Sequence, residues 1–237
     1  MYHSITIGSK NTWDDWHLIP VSNPVFNPPT PKTKYVDIPG ADWHLDMSTV
    51  LTGDVAYNGR EGSFEFYVAN GYDDWFNIYS DILDYLHGQF FNAILEDDPM
   101  YYYQGRFAVN QWKSEAHNSK IVIDYNVAPY KYEIYTSLDD WLWDPFNFEL
   151  GIVREYENLR VDGTLKLNIP GIRMKVTPTF IVESDYGNGL NVTFEGNTFK
   201  LNDGTSRIIN IRTGSGDNIF TFTGYGSVSV EYRGGRL

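Results

Sequence analysis

Cysteine is absent from this 237-residue chain, so the chain has no disulfide, no thiolate metal site and no cysteine nucleophile. Basic residues are also few, since 18 Lys and Arg stand against 31 Asp and Glu and give a formal net charge of −13. Proteins that grip nucleic acid do so with Lys and Arg against phosphate, so we expect no specific nucleic-acid binding. The same charge balance disfavours adsorption to an anionic membrane surface.

Long apolar runs are missing as well, and no window approaches the roughly 18–20 apolar residues of a membrane helix. Residues 1–8 lack a basic start followed by an apolar stretch, so we expect no secretion signal and synthesis in the cytoplasm. There is no Gly-x-Ser-x-Gly elbow and no Gly-rich phosphate loop with its Lys. The histidines show no paired ligand spacing. The sequence therefore predicts no enzyme, no cofactor and no metal site.

Acidic pairs are the nearest approach to a catalytic arrangement. A glycosidase needs two carboxyl groups roughly 5–10 Å apart across a sugar, usually from separate strands. Adjacent aspartates are more typical of helix starts and solvated turns. Two other acidic segments could suggest a calcium site, namely Asn202-Asp203-Gly204 and Gly216-Asp217-Asn218. Both are too short for a calcium loop and are typical of hairpin turns. The four aspartate pairs are Asp14/Asp15, Asp73/Asp74, Asp97/Asp98 and Asp139/Asp140.

Aromatic residues are abundant instead, at 16% of the chain, within a hydrophobic content of 42%. That content is enough for one or two cores, and aromatic side chains favour strands and interfaces. One helix is predicted, because Trp75, Ile78, Tyr79, Ile82, Leu83 and Leu86 recur at spacings of three and four. Asp73 and Asp74 would lie at its start, and Gly88 would cap its end.

Short strands account for most of the remainder. In the first half, residues 35–38 and 63–68 alternate as strands do, and residues 41–62 carry turn formers and predict a long loop or projecting hairpin. Further strands are predicted at residues 90–95, 101–112 and 120–127.

Beyond residue 159, strands recur at intervals of about 8–12 residues, which is typical of a β-sandwich or barrel. We expect a boundary near residues 130–140 and hence two β-sandwich domains, 1–135 with the helix and 136–237 without one. The predicted strands of the second domain are 164–169, 174–183, 190–194, 198–201, 207–212, 219–223 and 228–232.

The phenylalanines of the second half admit two interpretations. They could form a sugar-binding face, or they could form the sandwich core, which their alternation with polar residues favours. Tyr186, Tyr225 and Tyr232 lie near turns or chain ends, and either role stays open for them. The phenylalanines concerned are Phe180, Phe194, Phe199, Phe220 and Phe222.

Ten segments together carry a family resemblance, and they are residues 1–8, Thr12-Trp13, residues 35–42, Leu45-Asp46, residues 51–53, Arg60, residues 64–66, 85–88, 95–99 and 102–107. They resemble the distal tail protein family of siphophages. The likeness covers most of residues 1–135 and is looser over 136–237, where Ile169-Pro170-Gly171 contributes. Trp43-His44 depart from the family pattern, which expects a glycine and a small residue there.

The resemblance implies an N-terminal β-sandwich that assembles into a six-membered ring around the tail channel, with a galectin-like or carbohydrate-module-like sandwich outside it. The expected location is the virion, after synthesis in the bacterial host cytoplasm. The implied partners are further copies of the chain, the tail tube protein, the tail-associated lysin or tip protein, and in some relatives receptor-binding proteins. Residues expected at the ring interface are Asp46, Leu51, Tyr57 and Arg60.

Two functions from different classes are therefore open. The leading one is a structural hub of a phage tail, in which the projecting loop makes subunit contacts. The alternative is a non-catalytic carbohydrate-binding protein built from two sandwiches. Particle size in solution separates them, because a hub forms a ring and a sugar module is a monomer.

Overall fold

The computed structural model describes residues 2–51, 53–69, 75–113, 119–140 and 154–237. Two compact units make up the chain, one of Met1–Lys131 with Leu237 and one of Tyr132–Arg236. Domains 1–135 and 136–237 stay a prediction, since a compact unit is not thereby shown to fold alone. Four aromatic residues near the start of the predicted second domain, Trp141, Trp143, Phe146 and Phe148, lie outside the described residues.

The first unit contains a curled antiparallel sheet in the order β2-β1-β7-β8-β9-β6-β3. In the central strands, side chains alternate between the core and the other face, as in residues 120–127, where Ile121, Ile123, Tyr125 and Val127 are buried. The elements are β1 (Ile5–Ile7), β2 (Lys10–Asn11), β3 (Leu18–Pro20), β4 (Tyr35–Val36), β5 (Leu45–Asp46), β6 (Arg60–Val68), α1 (Trp75–Leu86), β7 (Gln89–Leu95), β8 (Tyr101–Lys113) and β9 (Lys120–Val127).

Helix α1 closes the core of the first unit. Trp75, Ile82 and Leu86 are buried on one stripe, as the spacing predicts. Gly88 follows at φ +75°, the left-handed conformation that favours glycine after a helix. Asp73 and Asp74, predicted at the helix start, lie outside the described residues.

The second unit contains a sheet in the order β14-β13-β16-β12-β15, with β11 on the other edge of β16. Its core includes Phe180, Phe194, Phe220, Phe222 and Tyr232, all buried, with Phe199 half-buried against them. The core interpretation of the phenylalanines is therefore confirmed. The strands of this sheet are β11 (Leu159–Gly171), β12 (Thr179–Ser184), β13 (Leu190–Phe194), β14 (Asn197–Leu201), β15 (Gly204–Arg207) and β16 (Gly216–Glu231). Two short strands, β10 (Lys131–Glu133) and β17 (Gly235–Arg236), pair with each other outside it.

Strand β16 organises the second unit because it changes partner along one edge. That edge pairs with β13 through residues 221–223 and with β12 through residues 226–231. Gly224 and Gly226 lie at the change, at φ +131° and +155°. A Cβ on Gly226 would stand 2.4 Å from the Glu183 carbonyl oxygen, so only glycine fits. The sheet curls over its own core at this point.

The predicted class, mainly β with two sandwich-like units and a helix in the first, is confirmed. Three details were wrong. The two strands predicted at 219–223 and 228–232 are one strand, because the glycines between them bend β16 without ending it. Residues 208–212, predicted as part of a strand at 207–212, are not a strand: β15 (Gly204–Arg207) ends at Arg207, and a turn follows in which Ile211 is buried and Ile209 is exposed. The strand predicted at 174–183 begins only at Thr179.

Candidate interaction surface

A hairpin arm, residues 31–57, is the part of the first unit that the unit's own core does not explain. Strands β4 and β5 pair antiparallel, with Tyr35 opposite Asp46 and Val36 opposite Leu45. A bridge between Pro31 and Tyr57 and the hydrogen bond from Lys32 N to Ala56 O (2.8 Å) close its base. The loop or hairpin predicted at residues 41–62 is a hairpin that begins ahead of residue 41 and ends before strand β6, which starts at Arg60.

Apolar side chains on the arm face solvent. Leu51 is 97% exposed and Trp43 is 75% exposed, and none of the described residues between 31 and 57 is buried. Scattered exposed apolar residues are ordinary, whereas many of them concentrated in one hairpin indicate an interaction surface. The remaining large exposed apolar residues of the arm are Tyr35, Val36, Ile38, Leu45, Val50 and Val55.

Two of the four residues expected at the ring interface lie on the exposed part of the arm. Leu51 is at the turn beyond β5. Asp46 ends β5 and accepts a hydrogen bond from the Ser48 backbone N–H at 2.8 Å. Hydrogen bonds from the Ser48 hydroxyl and backbone hold the pKa of Asp46 below its usual value. Asp46 therefore fixes the turn locally.

Tyr57 and Arg60 lie at the base of the arm and are less accessible. The Tyr57 ring meets the Tyr130 ring edge-on, with centroids 6.1 Å apart. Arg60 is only 5% exposed and donates to the Pro129 carbonyl from Nε (2.9 Å) and to the Asn27 carbonyl from a terminal nitrogen (3.1 Å). The structure thus gives Arg60 an internal role, which is to tie the chain entering the arm to the end of the first unit.

The environment of Arg60 is apolar and aromatic. Its guanidinium lies 5.4 Å from the centre of the Tyr103 ring, a cation–π distance. Burial lowers the pKa of Arg60, while Tyr103 and Tyr125 oppose that shift. Its second terminal nitrogen has no hydrogen-bond partner among the described residues. A buried cation held by two carbonyls and a ring makes the base of the arm costly to rearrange.

The exposed aromatic and aliphatic residues of the arm, Trp43, Ile38 and Val50, were not among the residues predicted for the interface. The sequence carries a weak signal for Trp43 and Val50: these apolar residues stand among turn formers with neither a period of two nor one of 3.6. Such residues have no core to enter. Trp43 was noted only as a departure from the family pattern, and Ile38 only as part of the alternating segment 35–38.

Among the described aspartates that were considered for catalysis or calcium, several accept hydrogen bonds in turns and ion pairs. Asp15 accepts from Lys10 Nζ at 2.8 Å and from the Asn11 backbone at 2.7 Å, and these bonds lower its pKa. Asp97 contacts His3, and Asp139 accepts from Thr136. Asp203 accepts from Ser184 and belongs to a hairpin turn. Within the described ranges, no three His, Asp or Glu residues are grouped to hold a metal ion.

Among the described residues, no helix has the length and the apolar character that crossing a membrane requires.

No protein-family model matches the sequence, and no curated protein matches it. The structure, by contrast, has a clear counterpart. The chain is similar to the crystal structure of the SPP1 Dit protein, described as a paradigm of the hub adsorption apparatus in phages that infect Gram-positive bacteria, with a TM-score of 0.66 and 11% sequence identity. The likeness covers 100% of both chains, so the chain has the fold of a Dit protein.

Proposed function

We propose that this chain is a distal tail protein of a siphophage, a structural hub of the virion that joins the tail tube to the tail tip. The observation that carries the proposal is the arm, a hairpin rich in exposed apolar side chains on a fold shared with a hub protein. No separate catalytic or cofactor chemistry enters the proposal. The chain is synthesised in the bacterial host cytoplasm and then built into the tail.

Assembly in this proposal is a closed ring of six copies. The arm of one copy packs on a different surface of the next copy, so the interface is heterologous, and a heterologous interface closes into a ring when its rotation fits. Burial of one leucine-sized side chain contributes about 2 kcal/mol, so a few arm residues suffice to bias the chain towards assembly. The arm lies in the first unit, so residues 1–135 carry the ring contacts, and residues 136–237 form the outer, galectin-like sandwich.

The partners in this proposal follow the ring geometry. The tail tube protein contacts one face, the tail-associated lysin or tip protein contacts the other, and receptor-binding proteins can dock outside. Each copy adds a formal charge of −13, so the channel is not expected to retain DNA during its passage. Tight DNA binding at physiological salt would contradict this part of the proposal.

The test is the mass of the purified chain in solution, measured by mass photometry and light scattering over a concentration series. We expect a species of about six times the 27.3 kDa of one chain, and we expect Leu51→Asp and Trp43→Asp to shift it towards monomer. Ile209→Asp is the matched control, since Ile209 is 72% exposed and lies in the second unit.

The hub proposal would be contradicted if the wild-type mass stays at 27.3 kDa at every concentration, also with the adjoining tail proteins added. That result would favour the alternative of a monomeric carbohydrate-binding protein.

A further inference from the structure

An exposed pair of tyrosines marks a second surface, on the second unit. Tyr186 is 74% exposed at the turn between β12 and β13, and Tyr225 is 50% exposed on β16. Their rings meet edge-on, with centroids 6.2 Å apart and planes at 77°. Tyr232, the third tyrosine left open by the sequence, is instead buried in the core. Two neighbouring tyrosines are therefore placed with their rings in solvent.

The backbone around the pair is held in place before any ligand arrives. The Asp185 N–H donates to the Tyr225 carbonyl at 3.0 Å, which links the two tyrosine segments. Ser184 donates to the Asp203 carboxylate from its backbone and its hydroxyl, at 2.8 and 2.9 Å. The Gly189 N–H in turn donates to the Ser184 hydroxyl at 2.9 Å. A turn fixed by this many bonds loses little conformational freedom when it binds.

Charged groups border the rings. Arg160 donates to both carboxylate oxygens of Asp185, at 2.8 and 2.6 Å. The pKa of Arg160 is raised mainly by these bonds, with smaller contributions from Asp162 and Tyr186, so all four groups share one neighbourhood. Asp162 also faces Tyr225 across the β11–β16 ladder. The rings are thus bordered by fixed donors and acceptors.

We propose that Tyr186 and Tyr225, with Arg160 and Asp185 beside them, bind a saccharide of neutral hexose or N-acetylhexosamine units. One face of a pyranose ring is lined with C–H groups and can stack on an exposed tyrosine, while its hydroxyls reach the charged border. Rigid, amphipathic tyrosines supply contact area at low entropic cost. This surface is separate from the arm, and the inference does not rest on the ring.

The size and charge of the patch argue for this occupant. A stable protein interface buries on the order of 1,000 Å² or more, and two rings bordered by charged groups offer far less apolar area. An anionic polysaccharide is disfavoured, because Asp185 already neutralises Arg160, Asp162 adds negative charge, and the whole chain carries −13. A neutral sugar ring matches both the area and the hydrogen-bonding border.

The experiment measures binding of the full chain to immobilised oligosaccharides, with saturation-transfer NMR as the second readout. The probes are chitohexaose, maltohexaose and a β-galactan oligosaccharide as neutral ligands, and a hyaluronan oligosaccharide as the acidic comparison. We expect binding to at least one neutral probe. Tyr186→Ala/Tyr225→Ala should weaken it by roughly tenfold, since the stacking faces are removed. The Tyr→Phe pair keeps those faces and should retain binding within about threefold.

Ile209→Ala is the control, because it removes an equally exposed apolar side chain from the same unit. The double alanine variant should keep the thermal unfolding and the assembly mass of wild type. A loss of sugar binding alone then tests this inference independently of the hub proposal. Equal binding by wild type and the double alanine variant would overturn the inference, as would binding to no neutral probe or to hyaluronan alone. Loss of a protein contact in the assembled tail, without glycan binding, would make the pair a protein-docking face and would also overturn it.

Discussion

The arm exposes its large apolar side chains, whereas the second unit buries most of its own. In the second unit, Phe180, Phe220 and Phe222 are completely buried within the chain's own sheet. In the arm, Leu51 and Trp43 are among the most exposed apolar residues of the molecule. The first arrangement is stable by internal packing alone, whereas the second leaves apolar surface for another molecule. Substitutions in a packed region should therefore affect folding, and substitutions in the arm should affect association.

The largest expected difference comes from the same change made in the helix and in the arm. Leu86→Asp buries an unpaired carboxylate under α1 and costs several kcal/mol against a total of about 5–15, so the first unit should unfold. Leu51→Asp should change the free energy of unfolding of the monomer by less than about 0.5 kcal/mol. Circular dichroism during urea unfolding measures both. A folded Leu86→Asp protein would show that the helix stripe is not core.

Glycine positions give the next contrast. Gly226→Ala places a Cβ 2.4 Å from a backbone oxygen at φ +155°, and should destabilise the second unit by roughly 3 kcal/mol. Gly53→Ala, at φ +71° with open space around it, should cost about 1 kcal/mol or less. Thermal unfolding of the two variants in parallel checks this. Equal costs would mean that the bend in β16 is not constrained as described.

Arg60 is where the arm meets the packed first unit. Arg60→Met removes the bonds to the Asn27 and Pro129 carbonyls and should destabilise by about 2 kcal/mol. Removal of a buried charge acts in the opposite direction and keeps the cost below that of Leu86→Asp. Arg60→Lys keeps the charge without the planar fork and should fall between wild type and Arg60→Met. A fully neutral Arg60→Met would indicate that the base of the arm is held by other contacts.

The smallest expected effect is an acid dependence. The pKa of Asp15 is lowered in the folded chain, first by its hydrogen bond to Lys10 and then by the Asn11 backbone. Its contribution to stability is therefore present above the unfolded value of about 3.9 and is lost as the pH falls through the lower folded value. Asp15→Asn should flatten the unfolding profile slightly below about pH 4. Asp46→Asn, in the arm, should flatten that profile in the same direction, because the hydrogen bonds from Ser48 also lower the pKa of Asp46.

Sequence patterns predicted the packed regions better than the surface ones. Strand β9 and helix α1 follow from alternation and from spacings of three and four, since both bury one face against the chain's own core. Strands β1 to β3 were not predicted, because two or three residues are too few to show a period. Strand β16 was divided in two, since a glycine that permits a bend has the same sequence signature as one that ends a strand.

The candidate interface shows the same limit. Leu51 and Arg60 were both assigned to it from the family resemblance. The structure leaves Leu51 in solvent and buries Arg60 beneath two carbonyls. Local sequence does not show that Leu51 is exposed and Arg60 is buried. The burial of Arg60 depends on Asn27 and Pro129, which lie 33 and 69 residues away along the chain.

The most direct test of the account uses the absence of cysteine. A single Leu51→Cys substitution gives the chain one thiol, whose reaction with a maleimide reports the accessibility of the arm. We expect rapid labelling in dilute monomer and at least about tenfold slower labelling in the assembled species, while Ile209→Cys labels equally fast in both. Equal labelling of Leu51→Cys in monomer and assembly would contradict the claim that copies of this chain meet through the arm.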